Sequence, residues 1–252
     1  MNEVNKIPRA VVYPICNGNY TDSNVPLMLS LRSIDENLLD DVPVVVISER
    51  MPSYLSDEVL FIECDGYMDA LRKATSLAEE ILWMNDDIHL LHPITWESAK
   101  SWYVEDVQQD DADILRLVSS DNKWRNRRGQ VLDKLRDRGD TLYNFSTHTP
   151  YLYESSKLID ILEDFDFGYK TAVETAYGNA YSVPTRPIST KLSRHHPSAL
   201  PIDMSKYSVL NHNDKGFTPH TRGFLLGKFP SVSRYEDYGT CDVNTTLITD
   251  IK

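Results

Sequence analysis

The segment VPVVVIS, Val42–Ser48, places the strongest constraint on the fold of this chain. Its β-branched residues favour extended backbone. It shows no alternation of apolar and polar residues, so neither face of the strand is suited to water. Continuous apolar runs of this kind are typical of parallel strands that are buried on both faces. The segment therefore predicts a central strand in an α/β sheet that is covered by helices.

Further strands and helices are predicted around this segment. The strands have short apolar runs, at Ala10–Ile15, Leu60–Cys64 and Ile81–Met84. One helix is indicated by apolar residues at helical spacing from Leu27 to Leu38, with Asp22 or Ser23 as its cap and Pro26 in its first turn. A second is predicted over residues 68–80. The alternation implies a mostly parallel sheet, whose ligands bind beyond the carboxyl ends of the strands.

The rest of the chain has a weaker pattern. Helices are predicted over residues 96–109, 154–165 and 170–181, a strand over 112–118, and a basic loop over 121–129 that runs into a short helix. The last 70 or so residues show no clear period. We expect one domain over residues 1–252, with a nucleotide-binding half to about residue 110 and an irregular acceptor-side half after it.

Charge is distributed unevenly. Residues 1–110 hold 7 Lys and Arg against 20 Asp and Glu, whereas residues 111–252 hold 19 against 18. The net charge of −12 argues against a general nucleic-acid coat, but residues 123–138 carry 7 basic and 2 acidic side chains that could hold phosphate.

Several protein classes are excluded or disfavoured. No apolar run is long enough to span a membrane, and the first residues have no signal-peptide pattern, so we expect a cytoplasmic protein. The three cysteines lack metal-type spacing and are expected to be free thiols. The P-loop, G-x-G-x-x-G and G-x-S-x-G motifs are all missing.

The carboxylates that follow the fourth predicted strand are the leading site candidates. Asn85, Asp86 and Asp87 come directly after ILWM. Adjacent carboxylates at a strand end need water or a cation to compensate them, and Mg²⁺ and Mn²⁺ favour such oxygen ligands, often shared with substrate phosphates. An Asx turn or a helix cap explains the same residues equally well.

The order of the motifs resembles that of small GT-A-type nucleotide-diphospho-sugar transferases, in particular the Stealth-like and phage-encoded group. The matching stretches run in the same order along most of the chain: AVVYPICNGNYTDSNVPLMLSLRSIDENL, VPVVVISERMPSYL, ILWMNDDIHLLHP, THTPYLYESSKLIDIL, ETAYGNAY and RGFLLGKFPSVSRYE. The resemblance implies a GT-A-like, Rossmann-like sheet with helices on both faces and an irregular C-terminal acceptor region. It also implies a nucleotide-diphosphate sugar as the donor.

The resemblance also assigns roles to residues. The NDD stretch would take the part of a DxD motif, with Asp87 binding Mn²⁺ or Mg²⁺ and Asp86 as a second ligand or facing the sugar. Contacts to the donor nucleotide would come from Tyr13, Pro14, Arg32, Asp65, Lys73 and Asn85. For Arg32, an ordinary solvated helix face is the alternative.

Two further residues are candidates for the chemistry. His148, in THTP, would face the sugar or the metal, or would be a hydrogen-bonded loop histidine. Glu174, or alternatively Asp86, is the candidate base for an acceptor hydroxyl. Glu174 would lie on one helical face with Tyr177, and its alternative is a surface position.

The basic segment suggests where an acceptor binds. Trp124 lies among cations and could stack on a base while they hold phosphate, which gives the acceptor-binding set Lys123, Trp124, Arg125, Arg127 and Arg128. A hydroxylated base in phage DNA, flipped from its duplex, is one acceptor of this kind. A lipid diphosphate, an acidic polysaccharide and a plain surface loop remain alternatives.

The sequence is therefore compatible with three functions. The first is a metal-dependent glycosyltransferase that moves a sugar to a hydroxyl acceptor. The second is a Stealth-like sugar-1-phosphate transferase, which would release a nucleoside monophosphate instead of a diphosphate. The third is a non-catalytic module that binds a nucleotide sugar.

Overall fold

The fold is described from a computed structural model. It covers residues 6–16, 24–99, 110–137, 142–143, 145–165, 172–181, 191–194, 200–201 and 203–237. The strands are β1 (Ile7–Ile15), β2 (Val44–Ser48), β3 (Val59–Glu63), β4 (Ala78–Trp83), β5 (Ile88–Leu90), β6 (Tyr151–Glu154), β7 (Lys191–Arg194) and β8 (Val209–His212). The helices are α1 (Val25–Asn37), α2 (Tyr67–Leu77), α3 (Trp96–Ala99), α4 (Asp111–Val118), α5 (Lys123–Arg136), α6 (Ser155–Asp164), α7 (Val173–Ala180) and α8 (Pro219–Lys228).

The main sheet has five strands in the order β3-β2-β1-β4-β6. The first four strands in this order are parallel, and β6 runs antiparallel to β4 at one edge. Val12 of β1 pairs with Val45 of β2 on one side and with Trp83 of β4 on the other. All three residues are buried. The predicted α/β class and mostly parallel sheet are confirmed, with helices flanking the sheet.

The boundary between α2 and β4 differs from the prediction. Residues 78–80 were expected to end the helix, but they open β4 and pair with the start of β1. Glu80 explains the change, because its carboxylate accepts a hydrogen bond from Arg9 at 3.0 Å and another from the Trp96 indole at 2.8 Å. Those contacts require Glu80 to lie beside Arg9 in the sheet.

The segment after residue 110 is helical where a strand and a loop were predicted. Residues 112–118 belong to α4, which Asp110 caps by accepting a hydrogen bond from the Asp113 amide. Ile114 and Leu117 are its buried residues, at a helical spacing of three. The basic residues from Lys123 onward form α5, which packs closely on α4. A Cβ at Gly129 would lie only 2.6 Å from the Val118 nitrogen, so this approach needs glycine.

A smaller sheet lies beyond the end of β4. Its order is β5-β8-β7, and β8 and β7 come from the part of the chain that showed no clear period. His89 of β5 and His212 of β8 are both buried, with Nε2 atoms 3.1 Å apart. At that distance one imidazole donates a hydrogen bond and the other accepts it. Burial and the neighbouring His212 hold the pKa of His89 well below its usual value.

A buried ion pair fastens the C-terminal segment to α1. Arg32 donates from Nε and Nη2 to the Glu236 carboxylate, at 2.8 and 2.9 Å, and from Nη1 to the Phe229 carbonyl. The same carboxylate accepts from the Ser233 amide and hydroxyl. Nothing in the sequence linked residues 204 positions apart. None of the helices among the described residues has the length and apolar character to cross a membrane.

We expect Glu236→Ala to lower the free energy of unfolding by about 3–5 kcal/mol, because it leaves the Arg32 charge buried and uncompensated. Urea denaturation with circular dichroism measures the change. The double variant Arg32→Met/Glu236→Leu, which removes both charges, should lose less than the sum of the two alanine variants. Single variants that stay within about 0.5 kcal/mol of wild type, as surface substitutions do, would contradict a stabilising role.

Candidate functional site

The candidate site lies along the carboxyl edge of the main sheet. Because β1 to β4 are parallel, their carboxyl ends lie at one edge, and the polar residues that follow them meet there. Asn85, Asp86 and Asp87 follow β4 at this edge. They form a turn, in which the Ile88 amide donates to the Asn85 carbonyl, and the turn leads into β5.

Asp86 is held by Asn24, the residue that precedes α1. Asn24 caps this helix with its side-chain oxygen, which accepts from the Leu27 amide, and its side-chain nitrogen donates to Asp86 Oδ2 at 2.9 Å. The predicted caps Asp22 and Ser23 lie outside the described residues, and Asn24 takes the role. Pro26 lies in the first turn, as predicted. The positive end of α1 also favours an anion at this place.

The environment of Asp86 is one that a cation would relieve. Burial raises the pKa of the Asp86 carboxyl, the Asn24 hydrogen bond opposes the rise, and the nearby Asp214 carboxylate adds to it. Asp87 is half-buried in the same turn, and its carbonyl accepts from the His212 amide. Across the described ranges, no cluster of three or more His, Cys, Asp or Glu side chains could enclose a metal.

Glu174, on α7, is the most perturbed acid of the site. Its side chain is buried, and burial raises its pKa from 4.5 to about 7. The Ser146 hydroxyl donates to Glu174 Oε1 at 2.5 Å and opposes this rise, as does the charge of Arg128. A carboxyl group with this pKa exchanges a proton readily near neutral pH.

Aromatic side chains place Glu174 at the carboxyl edge. Tyr67, at the start of α2 just after β3, and Tyr151, opposite Trp83 at the end of β4, have pKa values raised by burial and by the Glu174 charge. Tyr67 also packs edge-on against Trp83, with ring centroids 5.7 Å apart. Helix α7 is buried from Val173 to Asn179, which excludes the surface position considered for Glu174.

The basic segment contributes one residue to this cluster. Arg128 is half-buried and close enough to Glu174 to lower its pKa, because α5 packs against α7. Lys123 and Arg125 are exposed, and Arg127 is half-buried. Trp124 lies on α5, and its side chain is outside the described residues. The helix thus presents its cations in two places, one at Glu174 and one towards solvent.

The residues expected to contact a donor nucleotide are dispersed. Tyr13 is wholly buried, its hydroxyl 2.9 Å from that of Ser30, while Pro14 is half-buried beside it. Arg32 is committed to the buried ion pair with Glu236. Asp65 is exposed, and Lys73 donates to the Glu63 carbonyl at 2.7 Å just below the same edge.

His148 lies in a strained loop near Glu174. Its backbone has φ of 50°, a conformation that non-glycine residues seldom adopt, and its side chain is exposed. Its amide donates to the Tyr151 hydroxyl. Such strain is found more often at functional sites than elsewhere.

Four contributors to the site were not predicted from the sequence, namely Asn24, Tyr67, Ser146 and Asp214. Asn24 and Tyr67 begin helices that follow predicted strands, so their position at the edge could have been inferred. Ser146 and Asp214 lie in irregular segments, and only the folded chain brings them to the acids. No known protein family and no curated protein matches this chain.

The raised pKa of Glu174 predicts that stability depends on pH. The folded protein holds this proton more tightly than the unfolded chain, so the stability it contributes is full below about pH 4.5 and is lost as pH rises through about 7. We expect Glu174→Gln to remove this slope and to be more stable than wild type above pH 7, by up to about 3 kcal/mol. Chemical denaturation of both proteins at pH values from 5 to 9 measures their free energies of unfolding and hence the slope.

The matched control is Glu163→Gln, at an exposed position on α6. This variant should keep the wild-type slope. Parallel stability curves for wild type and Glu174→Gln would contradict the assignment of the slope to Glu174.

Proposed function

We propose that the protein is a glycosyltransferase that moves a sugar from a nucleotide-diphosphate donor to a hydroxyl acceptor with the help of Mn²⁺ or Mg²⁺. The observation that carries the proposal is the placement of two different acids at the carboxyl edge of a parallel sheet. Asp86 is paired with an amide and shares its surroundings with a second carboxylate. Glu174 is buried, with a pKa near neutrality. Environments that set two acids apart in this way indicate separate roles in catalysis.

The first acidic group is suited to the donor. Asp87 and Asp86 would hold the metal together with the donor diphosphate, in keeping with the small number of protein ligands that such ions need. A bound metal offsets the charge that develops on the departing nucleoside diphosphate. Asn24 keeps the Asp86 carboxylate pointed at the edge, and the start of α1 adds a favourable field for phosphate.

The second acidic group is suited to the acceptor. Glu174, as a carboxylate, accepts the proton of the acceptor hydroxyl while that oxygen bonds to the anomeric carbon and the bond to the diphosphate breaks. The Ser146 hydroxyl orients the carboxylate, and burial of the side chain limits its contact with water. Glu174 then releases the proton to solvent, and the nucleoside diphosphate leaves.

An acceptor that carries phosphate fits the position of α5. Arg128 lies beside Glu174, while Lys123 and Arg125 extend the positive charge into solvent along the same helix. A hydroxylated base in DNA is an acceptor of this chemistry, because it offers a hydroxyl and flanking phosphates. Contacts limited to one helix are compatible with an acidic protein.

The donor can be identified by incubating the protein and Mn²⁺ with a panel of nucleotide sugars and measuring slow hydrolysis. Release of a nucleoside diphosphate supports glycosyl transfer. Release of a monophosphate would instead indicate sugar-1-phosphate transfer. Binding of a nucleotide sugar without any product would indicate a binding module.

We expect Asp87→Asn to reduce donor hydrolysis at least about 100-fold, because it removes a charged oxygen ligand of the ion. Binding of Mn²⁺ in the presence of the donor, followed by electron paramagnetic resonance, should weaken in parallel. The control Asp57→Asn, at an exposed turn, should behave as wild type. Unchanged Mn²⁺ binding in Asp87→Asn would refute the metal assignment.

We expect the rate of transfer to rise with pH about a midpoint near 7, because only ionised Glu174 accepts a proton. Glu174→Gln should lose about 10²–10⁴-fold in turnover while remaining folded. Ser146→Ala removes a hydrogen bond that stabilises the carboxylate, so its midpoint should move to higher pH. A wild-type midpoint in place of that shift would contradict this role of Ser146.

A further inference from the structure

Two buried thiols meet at the carboxyl edge of the main sheet. Cys16 follows β1 and Cys64 follows β3, and their Sγ atoms lie 3.3 Å apart. Both residues are buried, with exposed fractions of 5% and 2%. Their spacing in the sequence predicted only unrelated free thiols.

The sheet explains why these two residues meet. Strand β2 lies between β1 and β3, and its last residue, Ser48, pairs with Ile15 on one side and with Glu63 on the other. Cys16 and Cys64 are therefore the next residues on either side of the end of β2. The Cys64 amide donates to the Ser48 carbonyl, while the Cys16 sulfur faces the Ile47 carbonyl. Because β2 ends at Ser48, the two sulfurs meet in the space beyond its end, between Cys16 and Cys64.

We propose that Cys16 and Cys64 form a redox-active dithiol that closes into an intramolecular disulfide on reaction with a peroxide. A disulfide bond is about 2.05 Å long, so the sulfurs must approach by little more than 1 Å. Both residues lie just beyond strand ends, and the Cys64 amide remains bonded to the Ser48 carbonyl, so the approach must come from side-chain rotation and small backbone shifts around that hydrogen bond.

The reaction balances with hydrogen peroxide as the oxidant. One thiolate attacks peroxide and becomes a sulfenic acid, with loss of hydroxide. The second sulfur then attacks the sulfenic sulfur, and water leaves as the S–S bond forms. Overall, two thiols and one peroxide give one disulfide and two waters. Burial favours a small oxidant over a bulky one, and contact with the second sulfur favours closure over further oxidation.

The bond would join β1 to β3 across β2. It would close a loop of about 50 residues, which restricts the unfolded chain and raises the stability of the folded one. The bond would also lie beside Tyr67, whose ionisation is influenced by both Cys16 and Glu174. The contact between the sulfurs is independent of the proposed transferase activity.

The test treats the full-length protein with a modest excess of hydrogen peroxide, quenches it and measures intact mass and thiol content in denaturant. The chain has three cysteines, so thiol content should fall from about three to about one, with the mass of two hydrogens lost. Dithiothreitol should reverse both changes. Peptide mapping should find Cys16 joined to Cys64, and the oxidised protein should melt several degrees higher.

Three variants make the result decisive. Cys241→Ser should still form the bond, whereas Cys16→Ser and Cys64→Ser should each fail to form it. A bond that needs Cys241, or a gain of oxygen atoms at Cys16 or Cys64 without cross-linking, would overturn the proposal. Because Cys241→Ser keeps both buried cysteines, the test does not depend on a core variant that folds poorly.

Discussion

Strand β1 is hydrogen-bonded to parallel neighbours on both sides, and this arrangement decides where polar groups can lie. Its central residues, Ala10 to Val12, are buried and apolar, so they offer no polar side chain to a ligand. Parallel pairing brings the ends of β1, β2, β3 and β4 to one edge. The carboxyl edge of the sheet consequently holds the acids, the thiols and the helix starts that follow these strands.

This dependence explains which features could be inferred from the sequence. The apolar runs indicated the first four strands, and the position of Asn85 to Asp87 after one of them followed directly. Helix boundaries were less accessible, because residues 78–80 suit a helix until Arg9 and Trp96 are seen to bind Glu80. Helix α5 begins at Lys123, inside the stretch 121–129 that was predicted as a loop because the first turns of the helix are mostly charged. Its buried Val131, Leu132 and Leu135 lie further on, in the part predicted as a short helix.

Contacts between distant segments could not be inferred at all. Arg32 has the sequence context of a solvated helix residue, yet it is buried against Glu236 near the other end of the chain. Ser146 and Asp214 have no local pattern that marks them as neighbours of acids. Glu174 was recognised as a candidate base from its helix, but its raised pKa arises from burial, which only the packing of α7 produces.

The two acidic groups illustrate different ways of keeping a carboxylate in a protein. Asp86 keeps a hydrogen bond to an amide at the start of a helix, where the backbone field favours its charge. Glu174 has one hydroxyl and a partly buried arginine, and its charge is correspondingly less favourable. Burial raises the pKa of both carboxyls, and it raises that of Glu174 to about 7, so Glu174 is the acid that gains and loses a proton near neutral pH.

Asn24 links the stability of α1 to the orientation of Asp86. Its side-chain oxygen caps the start of the helix, and its side-chain nitrogen donates a hydrogen bond to the Asp86 carboxylate. Aspartate or serine would serve equally well as an N-terminal helix cap. Aspartate, however, would bring a further negative charge to Asp86, and serine has too short a side chain to span both partners. Position 24 therefore tolerates fewer residue types than capping of the helix alone would allow. A substitution there could preserve the fold and still lose the hydrogen bond that orients the Asp86 carboxylate.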